Sequence, residues 1–186
     1  ITNVTRRFYD DWDEQAYRRY MARFELDENK TPDQLSAGMK VKYALTLALS
    51  HRAKLLILDE PTSGLDPVSR DDLLDVFLSL QREGVSILFS THITSDLARC
   101  ADSITYIRRG EIAASMPLEQ FLGQHMAAEI DADAIPADIS ALLIGAKPAK
   151  HGYTAIVNKQ DAAKLPAFVR LTPADLETAM IHLEKE

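Results

Sequence analysis

Cysteine, tryptophan and glycine are scarce in this chain: one Cys, one Trp and seven Gly among 186 residues. A lone thiol, Cys100, cannot form an internal disulfide, so no covalent staple supports the fold, and a reducing compartment suits it. Free cysteine is commonly buried, and Cys100 is expected on the inner side of a short helix. Long apolar runs are also missing. No stretch approaches the roughly 18 residues that a membrane-spanning helix needs, and no signal-peptide pattern opens the sequence. Membrane contact would therefore require a partner. Positive charge is in deficit, with 21 Lys and Arg against 28 Asp and Glu, a formal net charge of -7. Neutralising a phosphate backbone needs clustered Lys and Arg, so a nucleic-acid partner is not expected. Internal repeats and low-complexity tracts are absent too.

What is present suffices for one domain with a core, or one plus a small appendage, because 46% of the residues are hydrophobic. Residues 1–52 read as mostly helical. Phe8, Tyr9, Trp12, Ala16, Tyr17, Tyr20, Met21 and Phe24 recur at spacings of three and four and predict one core-facing stripe. A second helix is expected from Ser36 to about Ser50, burying Val41, Ala44, Leu45, Ala48 and Leu49. The apolar run Leu55–Leu58 is too short for a helix. It predicts a strand covered on both faces and paired on both edges in a parallel sheet. Asp66 and Pro67 then stand as N-cap and first residue of a helix that Gly84 ends.

Val85–Phe89 predicts a second buried strand, Asp96–Ala101 a short helix, and Ile104–Ile107 with Glu111–Ala114 a hairpin turned at Arg109-Gly110. Beyond Pro117 the expectation is a helix over Leu118–Leu122, strands around Ala141–Gly145 and Tyr153–Val157, and a closing helix within residues 173–186. The division expected is a helical segment over 1–52, the second part of an α/β core over 53–125, and a small α+β extension over 126–186.

The chemistry concentrates in one stretch, Leu-Leu-Ile-Leu-Asp-Glu-Pro-Thr-Ser-Gly-Leu-Asp-Pro over residues 55–67. A carboxylate directly after a buried strand is costly unless paired with a cation or metal, so Asp59 points to Mg²⁺. The adjacent Glu60 is placed to orient and polarise an attacking water. Two acidic residues opening a loop form a weak signal by themselves, and the neighbouring motifs decide between readings. Leu35-Ser36-Ala37-Gly38-Met39 opens a helix, where free N–H groups favour an anion and Gly38 permits close approach. Ser90-Thr91-His92 follows the second strand at the same sheet end as Asp59, where parallel sheets gather ligand contacts.

In this order the three motifs resemble those of the ATP-binding subunits of ATP-binding-cassette (ABC) transporters, over about residues 5–120. The fold implied is an α/β P-loop NTPase: the C-terminal portion of an ABC ATPase domain with its helical subdomain. The resemblance implies Asp59 as the Mg²⁺-associated Walker B aspartate, Glu60 as catalytic glutamate and His92 as the switch histidine facing the γ-phosphate. It implies Ser63, Gly64 and Asp66 as part of the D-loop between subunits, and Ser36, Ala37 and Gly38 as the signature that meets ATP held by a second subunit. ATP and Mg²⁺ are the implied cofactors. The implied partners are a second ATPase subunit, as homodimer or heterodimer, and integral membrane permease subunits that hold it at the inner face of the cell membrane. Ala37 and Met39 depart from the commonest signature. The S-x-G-M-K form and the Phe8–Asp13 run are similar to a prokaryotic branch whose ATPases often serve exporters.

A phosphate-binding loop needs G-x-x-x-x-G-K-[ST], and the glycines at 38, 64, 84, 110, 123, 145 and 152 nowhere give that spacing. Gly145-Ala146-Lys147-Pro148 is the nearest stretch, and Pro148 removes a donor where donors are needed. The chain is therefore expected to be the C-terminal two-thirds of a longer subunit, inactive alone. The rival readings are an interaction domain without catalysis and an ABC ATPase acting outside transport. The second would show long heptad arms, tandem cassettes or basic surfaces, and none is visible.

Overall fold

The computed structural model describes residues 2–185. The chain divides into two compact units, Ile1–His92 and Ile93–Glu186.

In the first unit a short turn of helix, α1 (Thr2–Thr5), precedes α2 (Glu14–Arg23). The Asp13 carboxylate accepts the N–H groups of Gln15 and Ala16 and so starts α2. The expected stripe is core only from Ala16 onward: Ala16, Tyr17, Tyr20, Met21 and Phe24 are buried, whereas Phe8 is 78% exposed and Tyr9 41%. The physical reason is the break before the Asp13 cap, which sets Phe8 and Tyr9 off the axis of α2; Tyr9 stacks flat on His51 at 3.9 Å between centroids. Helix α3 (Ala37–Ser50) has Ser36 as its N-cap, the Ser36 hydroxyl accepting from the Met39 N–H. Its buried residues are Gly38, Leu45, Thr46, Leu49 and Ser50; of those expected, Val41 and Ala48 are half-buried and Ala44 is exposed, while two hydroxyls lie inside. Burial costs those hydroxyls little, since Thr46 donates to the Lys42 carbonyl and Ser50 to that of Thr46.

Strands β1 (Leu55–Asp59) and β2 (Ser86–Ser90) form a parallel pair, in register from Leu55 opposite Ser86 to Asp59 opposite Ser90. Between them runs α4 (Pro67–Arg82). Gly84, with φ of +86°, takes the left-handed position after it. The Gly84 and Val85 N–H groups return to the Gln81 and Leu80 carbonyls. Leu73, Leu74, Phe77 and Leu80 of α4 are buried, and Phe77 meets Phe89 of β2 at 5.8 Å. The expectation that Leu55–Leu58 is covered on both faces and paired on both edges is corrected here. Among the described residues β1 pairs with β2 alone. Leu56 is buried, but Leu55, Ile57 and Leu88 are 53%, 73% and 61% exposed. Helices cover one face, and the alternation of a strand turns the odd-numbered positions of β1 to the other.

The second unit opens with α5 (Thr94–Cys100), followed by the hairpin of β3 (Ser103–Arg108) and β4 (Glu111–Pro117). Arg109 and Gly110 both have positive φ, 51° and 82°, as the predicted two-residue turn requires. Helix α6 (Leu118–Leu122) follows. The remainder is a four-stranded antiparallel sheet in the order β6 (Ile144–Pro148), β7 (Tyr153–Asn158), β5 (His125–Ile130), β8 (Val169–Pro173), with α7 (Ala137–Ser140) and α8 (Leu176–Leu183). Ile104, Leu118, Phe121, Leu176 and Ala179 form one core cluster; Ala128, Ile130, Ile139, Ala155 and Val169 form another.

Strands β5 and β8 were not among the expected elements, and β6 lies three residues later than expected. The stretch resembling a phosphate loop is this β6. A Cβ at Gly145, where φ is +60°, would sit 1.9 Å from the His182 carbonyl oxygen of α8, so the glycine serves close packing. His182 in turn donates from Nδ1 to the Gly145 carbonyl at 2.8 Å. Cys100 ends α5 half-buried, and burial pushes its thiol up to about 11.

Candidate functional site

The C-terminal ends of β1 and β2 bring together Asp59, Glu60, Ser90 and His92. Parallel pairing in register sets Asp59 opposite Ser90, and the Ser90 hydroxyl donates to Asp59 Oδ1. Immediately beyond, the Glu60 N–H donates to the Ser90 carbonyl at 3.0 Å and lies 3.3 Å from its hydroxyl. Glu60 has φ of +45°, a left-handed conformation that a non-glycine residue rarely adopts. This bend turns the chain off the strand as Glu60 Oε1 accepts from His92 Nδ1 at 2.9 Å. Glu60 Oε2 is buried and has no hydrogen-bond partner among the described residues. That oxygen is a carboxylate acceptor left unsatisfied by the described residues. His92 itself is 73% exposed, free to meet a ligand from solvent.

Asp59 is exposed on the uncovered face of the strand pair. The described residues hold no cluster of three or more His, Cys, Asp or Glu able to cage a metal. Mg²⁺ does not require one, because it keeps several waters and is held by one or two carboxylates together with substrate phosphates. A single oriented carboxylate with a hydroxyl beside it fits that pattern. Asp59 would hold the ion, and the chemistry supplied would be neutralisation of phosphate charge.

The residues expected to form a D-loop follow without a break. Ser63 and Gly64 are exposed, Gly64 at φ of +72°, and Asp66 caps α4 by accepting from the Val68 and Ser69 N–H groups at 3.1 and 3.0 Å. The Ser69 hydroxyl and N–H hold the Asp66 carboxyl below the usual carboxylate range. Ser36 and Ala37 are exposed at the N-terminus of α3, while Gly38 is buried. A Cβ at Gly38 would lie 3.5 Å from Ser69 Cβ and 3.9 Å from a Leu65 methyl, so Gly38 packs beside the start of α4.

The structure thus forms one cluster from Asp59, Glu60 and His92 and sets Gly38 beside Leu65 and Ser69, while Ser36, Ala37, Ser63 and Gly64 lie exposed. Sequence reasoning placed Ser90 in the Ser90-Thr91-His92 motif but gave it no role of its own. The signal that points to it is its place two residues before His92, at the strand position opposite Asp59.

The chain is similar to several known proteins. A family model described as "AAA domain, putative AbiEii toxin, Type IV TA system" matches residues 5–95. The ABC transporter ATP-binding protein YtrB of Bacillus subtilis is 27% identical over the whole chain, which spans 64% of that protein's length. The energy-coupling factor transporter ATP-binding protein EcfA of Methanothermobacter thermautotrophicus is 37% identical over 50% of the chain and 30% of its own length. The lantibiotic transport ATP-binding protein SrtF of Streptococcus pyogenes is 43% identical over 42% of the chain and 34% of its own. Among solved structures, cbiO1 from Clostridium perfringens, part of the ABC transporter complex cbiONQ, superposes with a TM-score of 0.51 at 25% identity, over 59% of this chain and 45% of that one. A nucleotide-free ATP-binding cassette from an ABC transporter gives 0.53 at 20% identity, over 57% and 44%, a likeness of fold alone. By these comparisons the chain is similar to ATP-binding proteins of ABC transporters and to part of their ATPase cassettes, and it spans about a third to two thirds of the length of the curated relatives it matches.

Proposed function

We propose that this chain is the hydrolysing portion of an ATP-driven subunit that works with separate membrane permease subunits, in the export direction. The observation that carries the reading is the cluster at the ends of β1 and β2, where an oriented Asp59 stands beside a Glu60 bonded to His92. In this reading Asp59 holds Mg²⁺ against the phosphates of ATP, and Glu60 takes a proton from the attacking water. His92 positions the Glu60 carboxylate and meets the terminal phosphate. Ser36, Ala37 and Gly38 of one subunit and Ser63, Gly64 and Asp66 of its partner close the site when ATP draws two copies, or two related chains, together. The peripheral place at the inner face of a membrane follows from the permease partners, since no helix among the described residues is long and apolar enough to cross one. The export direction rests on the S-x-G-M-K signature at Ser36–Lys40, and the likeness to a lantibiotic transport protein favours it.

The phosphates themselves need a loop that residues 1–186 do not contain, so this chain alone is expected to bind Mg-ATP weakly and to hydrolyse none. The test uses a subunit that carries both these residues and a G-x-x-x-x-G-K-[ST] loop. Glu60→Gln keeps shape and removes the charge that receives the proton. Turnover should fall by about a hundredfold or more, while ATP still binds and an ATP-dependent dimer accumulates on a sizing column. Asp59→Asn should weaken Mg-ATP binding as well. Near-normal turnover in Glu60→Gln would make another group the base and end this assignment.

A further inference from the structure

At the opposite end of the β1–β2 pair, the first unit contains a cavity of about 550 Å³ that the ATPase reading does not use. That volume lies within the range of small-molecule sites, roughly 300–1,000 Å³. Its apolar side is made by Ala16, Tyr20, Leu49 and Val85, of which the first three are buried. Its charged rim carries Asp13, Arg19, Arg52, Lys54 and Glu83. The two carboxylates are already matched: Asp13 meets Arg52 at 3.5 Å, and Glu83 meets Arg23 at 2.7 Å. Arg19 and Lys54 have no ion-pair partner among the described residues; Arg19 is held with its guanidinium 5.0 Å from the centre of the Tyr20 ring. The start of α2 at Asp13 adds a positive dipole end, and the ends of α3 and α4 add two negative ones. The balance stays positive by roughly half a charge, or one and a half with Arg23 counted, in a chain whose net charge is -7.

The rim is also fixed in place by its backbone. Arg52 adopts a left-handed φ of +62°, with its N–H on the Leu49 carbonyl at 3.1 Å. The Lys54 carbonyl accepts from the Ser86 N–H at 2.8 Å, which ties the start of β1 to that of β2. Positions strained or pinned in this way recur at ligand sites.

We infer that this cavity binds a small organic anion, a phosphate monoester with an apolar body, whose phosphate is held by Arg19 and Lys54 and whose body packs on Tyr20 and Leu49. A bound ligand bridges α2 to the turn between α4 and β2. The ends of the five-residue strand β1 lie about 13–17 Å apart, so the ligand is an effector of this unit and does not enter the Asp59–Glu60–His92 cluster.

The test is titration of the 186-residue chain with phenyl phosphate, followed by amide shifts of Ala53, Gly84 and Val85 in nitrogen-15 NMR spectra. Saturable shifts at these amides are expected. Arg19→Gln and Lys54→Gln should each weaken the affinity about tenfold, the loss of one charge-assisted contact. Lys40→Gln, which removes a charge at the far end of α3, should change it less than about twofold. Unperturbed spectra of the free variants show that each is folded. Benzyl alcohol should bind at least about tenfold more weakly, for want of the charge, and inorganic phosphate likewise, for want of the apolar body. Shifts that grow linearly without saturating, equal affinity for inorganic phosphate, or an Arg19→Gln/Lys54→Gln double variant that binds as the parent does would each overturn the site.

Discussion

Ser90 shows how much of a site depends on residues without chemistry of their own. Its hydroxyl donates to Asp59 and lies 3.3 Å from the Glu60 backbone nitrogen, so one small side chain holds the Asp59 carboxylate and touches the backbone of the next residue. A group that orients a metal-binding carboxylate typically alters metal affinity by about 10–100-fold when removed. In a subunit with a phosphate loop, Ser90→Ala should therefore raise the Mg²⁺ concentration for half-maximal ATPase rate by about tenfold. Ser90→Thr, which keeps the hydroxyl, should stay within about threefold of the parent. An unchanged Mg²⁺ dependence in the alanine variant would reduce Ser90 to a packing residue. Asp59, Glu60 and His92 were readable from the chain because each is adjacent to a strand whose period is plain. The role of Ser90 was not, because only the parallel register places it against a residue 31 positions away.

Three helices begin on an aspartate whose carboxylate accepts backbone N–H groups: Asp13 at α2, Asp66 at α4 and Asp175 at α8. Hydrogen bonds hold all three carboxyls below their ordinary values, chiefly from the Ala16 N–H for Asp13, the Ser69 hydroxyl for Asp66 and the Thr178 hydroxyl for Asp175, with the backbone N–H groups adding to the last two. A carboxyl depressed by folding contributes stability that is fully present above its unfolded value, about 3.9. That contribution is lost as pH falls through the folded values. The melting temperature of the parent should therefore drop more steeply below about pH 4 than that of a variant carrying Asn at positions 13, 66 and 175. Asparagine caps nearly as well and does not titrate. Parallel melting curves between pH 2.5 and 6 would refute this account.

Across the whole molecule, the salient surface is the bare face of the β1–β2 pair, with Leu55, Ile57 and Leu88 open to solvent. Burying such side chains is worth about 1.5–3 kcal/mol each, and the free strand edge adds unpaired backbone groups. The chain alone should self-associate through this face at micromolar to millimolar concentrations. Ile57→Lys should shift the sedimentation profile toward monomer with little change in melting temperature, since that side chain is already exposed. A monomeric parent at high concentration would contradict the expectation. A run of four apolar residues such as Leu-Leu-Ile-Leu states that both faces suit burial, and only the tertiary structure shows which of them is covered in this chain.

Local interactions determined what the sequence made legible. The Ser36, Asp66 and Pro67 helix starts, the Gly84 stop and the Arg109-Gly110 turn depend on residues within four or five positions of one another. The adjacency of Asp59 and Glu60 is likewise written in the chain. Tertiary structure alone decided that Phe8 and Tyr9 leave the core stripe and that β5 and β8 join the second sheet. Only there does Gly145 give way to the His182 carbonyl, and only there do Arg19 and Lys54 share a cavity. Each of these depends on contact between segments far apart in the chain. Whether a side chain is covered, or a charge answered, is a property of what packs against it, and short-range spacing carries no record of that neighbour.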